Sequence, residues 1–414
     1  MRTIGLHPGA DDGFAQDDFT DPHLQLIHLL TQAAGLEHSL MAAYLYAGFS
    51  LKPRYAGVRG TITDDSFGLH RLSSDLDADL ARPHTLLDVA IEEMQHLGTV
   101  NRFLWALGAA PVLTPHQFPM TSDIYPFAVD LRPLTRPVAA TFLWIEAESA
   151  KFGGGGPGSE PEEFQRAVEA ELAQLPDPID DEPVSHLGSL YHAIVATTRR
   201  LAEQDPSTHH RPVDWPGWLS RMDWILGQGE LAHYHFFRDV FTGDAFGGGD
   251  VWADPAGAAY PSIDLLRGTA WAHAPGHIVS HEARELAWLG DIHYWLILGL
   301  LDQSYLGRSR VGRYLAVDQM TRCLWSIGIE LAHTHRVGFP FDPLAPGYRF
   351  GHDPITTTAG LLRLAREAQQ TEERLASDGR LPADYEPGAL RGLIANLEQR
   401  QTASSGSEAT SASS

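Results

Sequence analysis

LLDVAIEEMQHLGTVNRFLWAL, residues 86–107, sets how the rest of the chain reads. Its apolar residues Leu86, Val89, Ala90, Leu97, Val100, Leu104 and Leu107 recur at helical spacing, and it holds no Gly or Pro apart from Gly98. Glu93 falls in the same row, and His96, three residues on, projects from the same face. A carboxylate and an imidazole therefore point together toward the apolar side of a helix. An unpaired charge there is costly, so something must compensate it. A bound cation does so, and Glu-x-x-His is the spacing with which bundle helices hold pairs of iron or manganese ions. Taken alone, the pair is more simply a satisfied core histidine, so the metal reading depends on partners elsewhere.

The first partner lies in PHLQLIHLLTQAAGLEHSLMAAYLYAGFSL, from Pro22, with Asp21 as N-cap. Leu26, Leu30, Ala34, Met41 and Leu45 form one stripe that contains Glu37, either a ligand or a helix-interior Glu paired with a nearby His or Arg. Residues 51–84 read as a polar loop. The 86–107 helix stops at Gly108, with Pro111 beyond. AATFLWIEAESAKF, residues 139–152, is a short helix with Glu146 and Glu148, ended by the glycine run at 153–158. The acidic, Pro-rich stretch to Glu182 reads as an exposed excursion. A third long helix opens near Ser185, with Leu187, Leu190, Ile194 and Leu201 in one row and Tyr191 beside it. A fourth, WLSRMDWILGQGELAHYHFFRDVFTG at 218–243, carries Glu230 and His233 in line with Leu226 and Phe237. Two helices far apart in sequence thus carry the same pair, with Glu37 on another, and this shifts the reading to a metal site.

Two further helices are predicted at 280–303 and 311–336. The second holds a third pair, Glu330 and His333, which reads as structural or charge-pairing because no equally persuasive mate accompanies it. An amphipathic helix follows at 357–375, and the Ser/Thr/Ala tail should be disordered. The expected fold class is all-α. The organisation is an irregular segment at 1–20, a bundle at 21–250, an additional helical pair packed on it at 251–350, a helical segment at 351–401 and the tail at 402–414.

The chain has 414 residues, enough for a large core, with 53 acidic and 30 basic residues and a formal charge of −23. That balance argues against nucleic acid and anionic membranes as partners. The single cysteine, Cys323, leaves no internal disulfide framework or thiolate cluster. A reducing cytoplasm is the expected setting. The start of the chain lacks a signal-peptide pattern, and no apolar run is long enough to span a membrane.

The strings LEHSLMAAYLYA, AIEEMQHLGTVNRFLWALGAAPVL and GQGELAHYHFF resemble the ferritin-like domain of the iminophenyl-pyruvate dimer synthase group of bacterial specialised metabolism. The resemblance covers about residues 22–345 and implies a ferritin-like four-helix bundle with additional C-terminal helices. It makes Glu37, Glu93, His96, Glu230 and His233 the ligands of one or two iron ions, with manganese as the other candidate. The family's third helix carries Gly-Glu-x-Tyr, whereas this chain has Gly188, Ser189, Leu190 and Tyr191. A serine replaces a bridging carboxylate poorly. Three outcomes stay open: His192 serves as a ligand, the narrowly favoured one; Glu146 or Glu148 reaches in; or one metal position is weak or empty.

Members of that group couple two imines made by oxidation of tryptophan. They are longer, with a large N-terminal portion, so this activity is not carried over as such. The first expectation is an oxygen-dependent non-haem iron oxidoreductase acting on a small amino-acid-derived metabolite in natural-product biosynthesis. The alternatives are imine coupling and a non-catalytic binding scaffold. Glu93, Tyr191 and His235 are the expected catalytic groups. His38 and His235 neighbour ligands, and Tyr44, Tyr46, Trp105 and Trp144 are candidate pocket residues. The expected partners are a small-molecule substrate, dioxygen, other pathway enzymes and a second copy of the chain.

Overall fold

A computed structural model describes residues 19–61, 84–113, 118–120, 124–125, 127–152, 158–175, 186–204, 213–306, 309, 311–344 and 354–411. Among the described residues the regular structure is helical, with isolated bridges in the connections. The chain divides into two compact units, Met1–Val112 with His116–Ser262, and Leu113–Pro115 with Ile263–Ser414. No helix among the described residues is long and apolar enough to cross a membrane.

The first unit is built on α1 (Pro22–Ser50) and α2 (Leu86–Ala106), which pack along each other more extensively than any other pair. Asp21 caps α1 by accepting from the backbone N–H of His23 and Leu24. Thr85 and Asp88 close a reciprocal capping box at the start of α2, which satisfies two otherwise orphaned donors. Gly108, at φ +87°, ends it as predicted. Leu26, Leu30, Ala33 and Ala34 of α1 and Val89, Leu97, Val100 and Leu104 of α2 are fully buried. The short α3 (Arg136–Glu146) follows, then α4 (Glu162–Leu172), α5 (Leu187–Ala202), α6 (Trp215–Gly227) and α7 (Tyr234–Thr242). α5 packs on α1 and α6, and α3 on α7.

Two features depart from expectation. The stretch read as an exposed excursion contains α4, which buries Gln165, Val168 and Leu172 at helical spacing. The fourth helix is not continuous: a π turn, Gln228–His233, joins α6 to α7.

The second unit centres on α8 (His281–Tyr305), buried over most of its length. Around it lie α9 (Gly312–Gln319), a second π turn (Met320–Leu324), α10 (Trp325–His333), α11 (Pro354–Ser377) and α12 (Pro387–Ser411). α8 packs on α9, α10 and α11, and α11 packs on α12. The 351–401 segment therefore shares one unit with the preceding helical pair. α12 runs through Ser411, where a disordered tail is expected. Glu330 and His333 are half-buried and join no metal-capable cluster among the described residues.

Two buried histidines stay neutral. His186 stacks on Trp144 and its Nδ1 lies 2.9 Å from the Trp144 carbonyl. Burial pushes it down to about 4, against the pull of that bond. In the second unit His293 is likewise pushed down to about 4 by burial, against the pull of Gln319. Both imidazoles sit below their unfolded value of 6.5, so the unfolded chain binds more protons. Stability is then full above about pH 6.5 and falls as the pH drops toward 4. The loss is on the order of 3 kcal/mol for each group. Denaturant unfolding between pH 7 and 4.5 should show this slope, made shallower by His186→Phe. Equal stability across that range would refute it.

Candidate metal centre

α1, α2, α3 and the π turn each deliver a polar side chain to one dry spot. Glu37, Glu93 and His233 are fully buried, and His96 and Glu146 nearly so. They form two groups, Glu37 with Glu93 and His96, and Glu93 with Glu146 and His233. Within each group the ligand atoms lie within 4.8 Å of one another, and Glu93 belongs to both. Glu93 Oε2 is 3.2 Å from His96 Nδ1, while its Oε1 is 3.1 Å from His233 Nδ1. Glu37 Oε2 lies 3.5 Å from His96 Nδ1, and Glu146 Oε2 3.5 Å from His233 Nδ1.

The outer atoms of these groups are fixed by a surrounding shell. His96 Nε2 meets Gln228 Oε1 at 2.8 Å, and His233 Nε2 meets Glu92 Oε2 at 2.8 Å. Both acceptors require a proton on Nε2, so in the neutral imidazole Nδ1 keeps its lone pair toward the cluster. Tyr44 donates to Glu146 Oε1 at 2.5 Å, and Tyr191 donates to Glu37 Oε1. Each phenol holds one carboxylate oxygen and turns the other inward. Glu92 is also 3.4 Å from His84 Nε2. Burial works against ionisation of Glu92, but bonds from His233 and His84 bring it down to about 2.

The protonation pattern shows what the cluster lacks. Burial raises the Glu37 carboxyl and the charge of Glu93 raises it further. Burial also opposes ionisation of Glu93, yet Glu37 and the two imidazoles hold it well below the ordinary carboxylate range. Burial alone would lower His96, but Glu93 and Glu37 drive it up to about 10. His233 is raised in the same way, chiefly by Glu146. Protons here stand in for a positive charge. Glu37 Oε2, Glu93 Oε1 and His233 Nδ1 are buried with no hydrogen-bond partner, although they face the cluster. Orphaned donor atoms converging from separate helices, all carboxylate oxygen or imidazole nitrogen, fit two divalent cations sharing Glu93.

Of the sequence-predicted ligands, the structure brings together Glu37, Glu93, His96 and His233. The side chain of Glu230 lies outside the described residues. His192 does not join: it is exposed on α5, whose Leu187, Leu190, Tyr191 and Ile194 face inward. Glu146, from the short α3, brings the third carboxylate. His235 is exposed, whereas Tyr191 sits on a ligand. His38, Tyr44, Tyr46 and Trp144 are buried and Trp105 is half-buried. Sequence reasoning missed Glu92, Gln228 and His84. Gln228 and His233 are five residues apart, about 140° around an α-helix, and only the π turn aligns them. A Cβ at Gly229 would sit 3.1 Å from Glu146 Oε2, so this glycine lets the π turn approach the ligand.

A small cavity, with room for about one water, borders the cluster. His96, Glu146 and Tyr191 form its polar side, and Ile145, Leu187, Ile225 and Leu226 its apolar wall, with Gly188 and Gly229 between.

Comparison with known proteins agrees with this architecture. A family model described as ferritin-like matches residues 30–215. That stretch includes Glu37, Glu93, His96 and Glu146 but ends before the π turn with His233. The 2-imino-3-(indol-3-yl)propanoate dimerase of Chromobacterium violaceum is 26% identical over 327 residues, 74% of this chain. The match takes up 32% of that relative, so the chain spans about a third of its length. A solved ferritin-like protein from Caulobacter vibrioides is 18% identical, with 78% of this chain and 98% of the other covered and a TM-score of 0.44. Residues 30–215 are a ferritin-like domain, in a chain related to the imine dimerase of Chromobacterium violaceum.

Proposed function

We propose that this chain is a non-haem iron oxidoreductase, holding two ions, that uses dioxygen to oxidise a small amino-acid-derived metabolite in bacterial natural-product biosynthesis. The observation that carries this reading is the sharing of Glu93 between two buried Glu/His groups. Glu37 and His96 would hold one ion, Glu146 and His233 the other, and Glu93 both. The oxygen and imidazole donors suit iron, with manganese as the competing occupant. When bound, iron supplies the redox chemistry for reducing dioxygen.

The protein's own groups do the rest. Tyr44 and Tyr191 aim the carboxylates, and Gln228 and Glu92 set the imidazole tautomers. The apolar wall of Ile145, Leu187, Ile225 and Leu226 excludes water from the reacting face. The relative's name favours a second reading, imine coupling without net oxygen insertion. Substrate-dependent oxygen uptake separates the two: uptake matched to product supports oxidation, and dimer formed without uptake supports coupling.

Elemental analysis of protein purified with iron supplied should find two equivalents in the wild type and one in Glu37→Ala or Glu146→Ala. Glu93→Ala should bind almost none, with the helical circular-dichroism signal largely intact. A wild type with no metal would leave a binding scaffold. Tyr44→Phe and Tyr191→Phe each remove an orienting bond to a ligand. Metal affinity should fall roughly 10- to 100-fold in each. Competition with a chelator measures this, and wild-type affinity in both variants would contradict the assigned orientation role.

A further inference from the structure

Among the described residues the two halves of the cluster have matching donors: each has one carboxylate of its own, one imidazole and a share of Glu93. In each a phenol holds the outer oxygen of that carboxylate, Tyr191 on Glu37 and Tyr44 on Glu146. Glu93 is divided evenly, with Oε2 3.2 Å from His96 Nδ1 and Oε1 3.1 Å from His233 Nδ1. The halves differ in what stands behind the imidazole. His96 Nε2 donates to the Gln228 amide oxygen, and His233 Nε2 donates to a Glu92 carboxylate oxygen, both over 2.8 Å. His84 Nε2 is 3.4 Å from that same oxygen, so the shorter bond belongs to His233.

That one exchange of amide for carboxylate has a chemical consequence. A charge-assisted bond draws the Nε2 proton toward the acceptor and leaves more electron density on Nδ1. The imidazole becomes a stronger donor toward a cation, and the acceptor brings a negative charge of its own. Geometry points the same way. Glu93 Oε1 and His233 Nδ1 are buried without a hydrogen-bond partner, whereas Glu93 Oε2 and His96 Nδ1 bond each other. A cation on the His96 side has to replace that bond, and one on the His233 side does not.

We propose that the two metal positions are unequal, and that Glu92 makes Glu93, Glu146 and His233 the tight one, filled before Glu37, Glu93 and His96. This rests on the two-ion reading given above. Glu92 touches no ion itself and is a positioning residue acting through His233.

Manganese(II) titrated into the metal-free protein tests this, with free ion counted by its six-line electron paramagnetic resonance signal. Wild type should bind two ions in separate steps. Repulsion between the ions also separates the steps, so the assignment comes from variants. Glu37→Ala keeps the His233 side and should bind one ion roughly 10- to 100-fold more tightly than Glu146→Ala, which keeps the His96 side. Glu92→Gln preserves the shape and an acceptor oxygen, and should weaken the first step by a similar factor while leaving the second unchanged. Gln228→Glu makes the reverse exchange and should strengthen the second step. Either of these two decides the matter if the other does not fold. Equal affinities in Glu37→Ala and Glu146→Ala, tighter binding in Glu146→Ala, or a first step unmoved by Glu92→Gln would overturn the proposal and leave the two-ion reading standing. Wild type that holds fewer than two ions at saturating manganese would overturn both.

Discussion

Three carboxylates face two imidazoles in a buried interior, and the first unit is arranged around that constraint. Two like charges 4 Å apart repel by about 4 kcal/mol at the effective dielectric of a protein. Burial adds a solvation cost to each. Positive charge must offset both, as protons on His96 and His233 or as cations. Protonated imidazoles would donate along well-formed N–H···O bonds. The contact between His233 Nδ1 and Glu93 Oε1 has the distance of such a bond, yet both atoms lack a hydrogen-bond partner. Lone pairs aimed at a common point between them account for that geometry better than a proton on the line joining them.

The local structure serves the same end. Glu146 is the last residue of α3, where the helix dipole disfavours an anion. A carboxylate kept there needs compensation from outside its own helix, and His233 lies opposite. The π turn that supplies His233 gives up regular α bonding, and Gly229 within it keeps the backbone clear of Glu146. π turns inside α-helices are often found at functional sites, because they re-aim side chains without ending the helix. Here one turn directs His233 to the cluster and Gln228 to the back of His96.

Much of this was legible in the sequence, for definite reasons. Glu37, Glu93 and His96 sit on unbroken helices, where the apolar stripe reveals which face is buried. His233 was found by the same rule, whereas the approach of Gln228 to His96 is invisible without the π turn. His192 misled because it lies three residues from Ser189. The inward face of α5 is set by Leu187, Leu190, Tyr191 and Ile194, and the residue after Tyr191 turns away from it. Glu92 was hidden by its neighbour, since adjacent helix positions point about 100° apart and the inward stripe selects Glu93. α4 was missed because Glu162, Glu163, Glu169 and Glu171 mask its three buried positions.

The shell around the cluster also bears on which metal it takes. Four of the five side chains are oriented by a bond that exists without metal: Nε2 of each histidine to an acceptor, and Oε1 of Glu37 and Glu146 to a phenol. The entropy of ordering these side chains is met during folding, so binding gains affinity from preorganisation. Such a cage fixes ligand number and direction. It does not by itself distinguish iron from manganese, since both accept carboxylate and imidazole donors and differ little in intrinsic affinity. Discrimination then falls to metal supply and to what else binds at the open face, where the cavity meets His96, Glu146 and Tyr191.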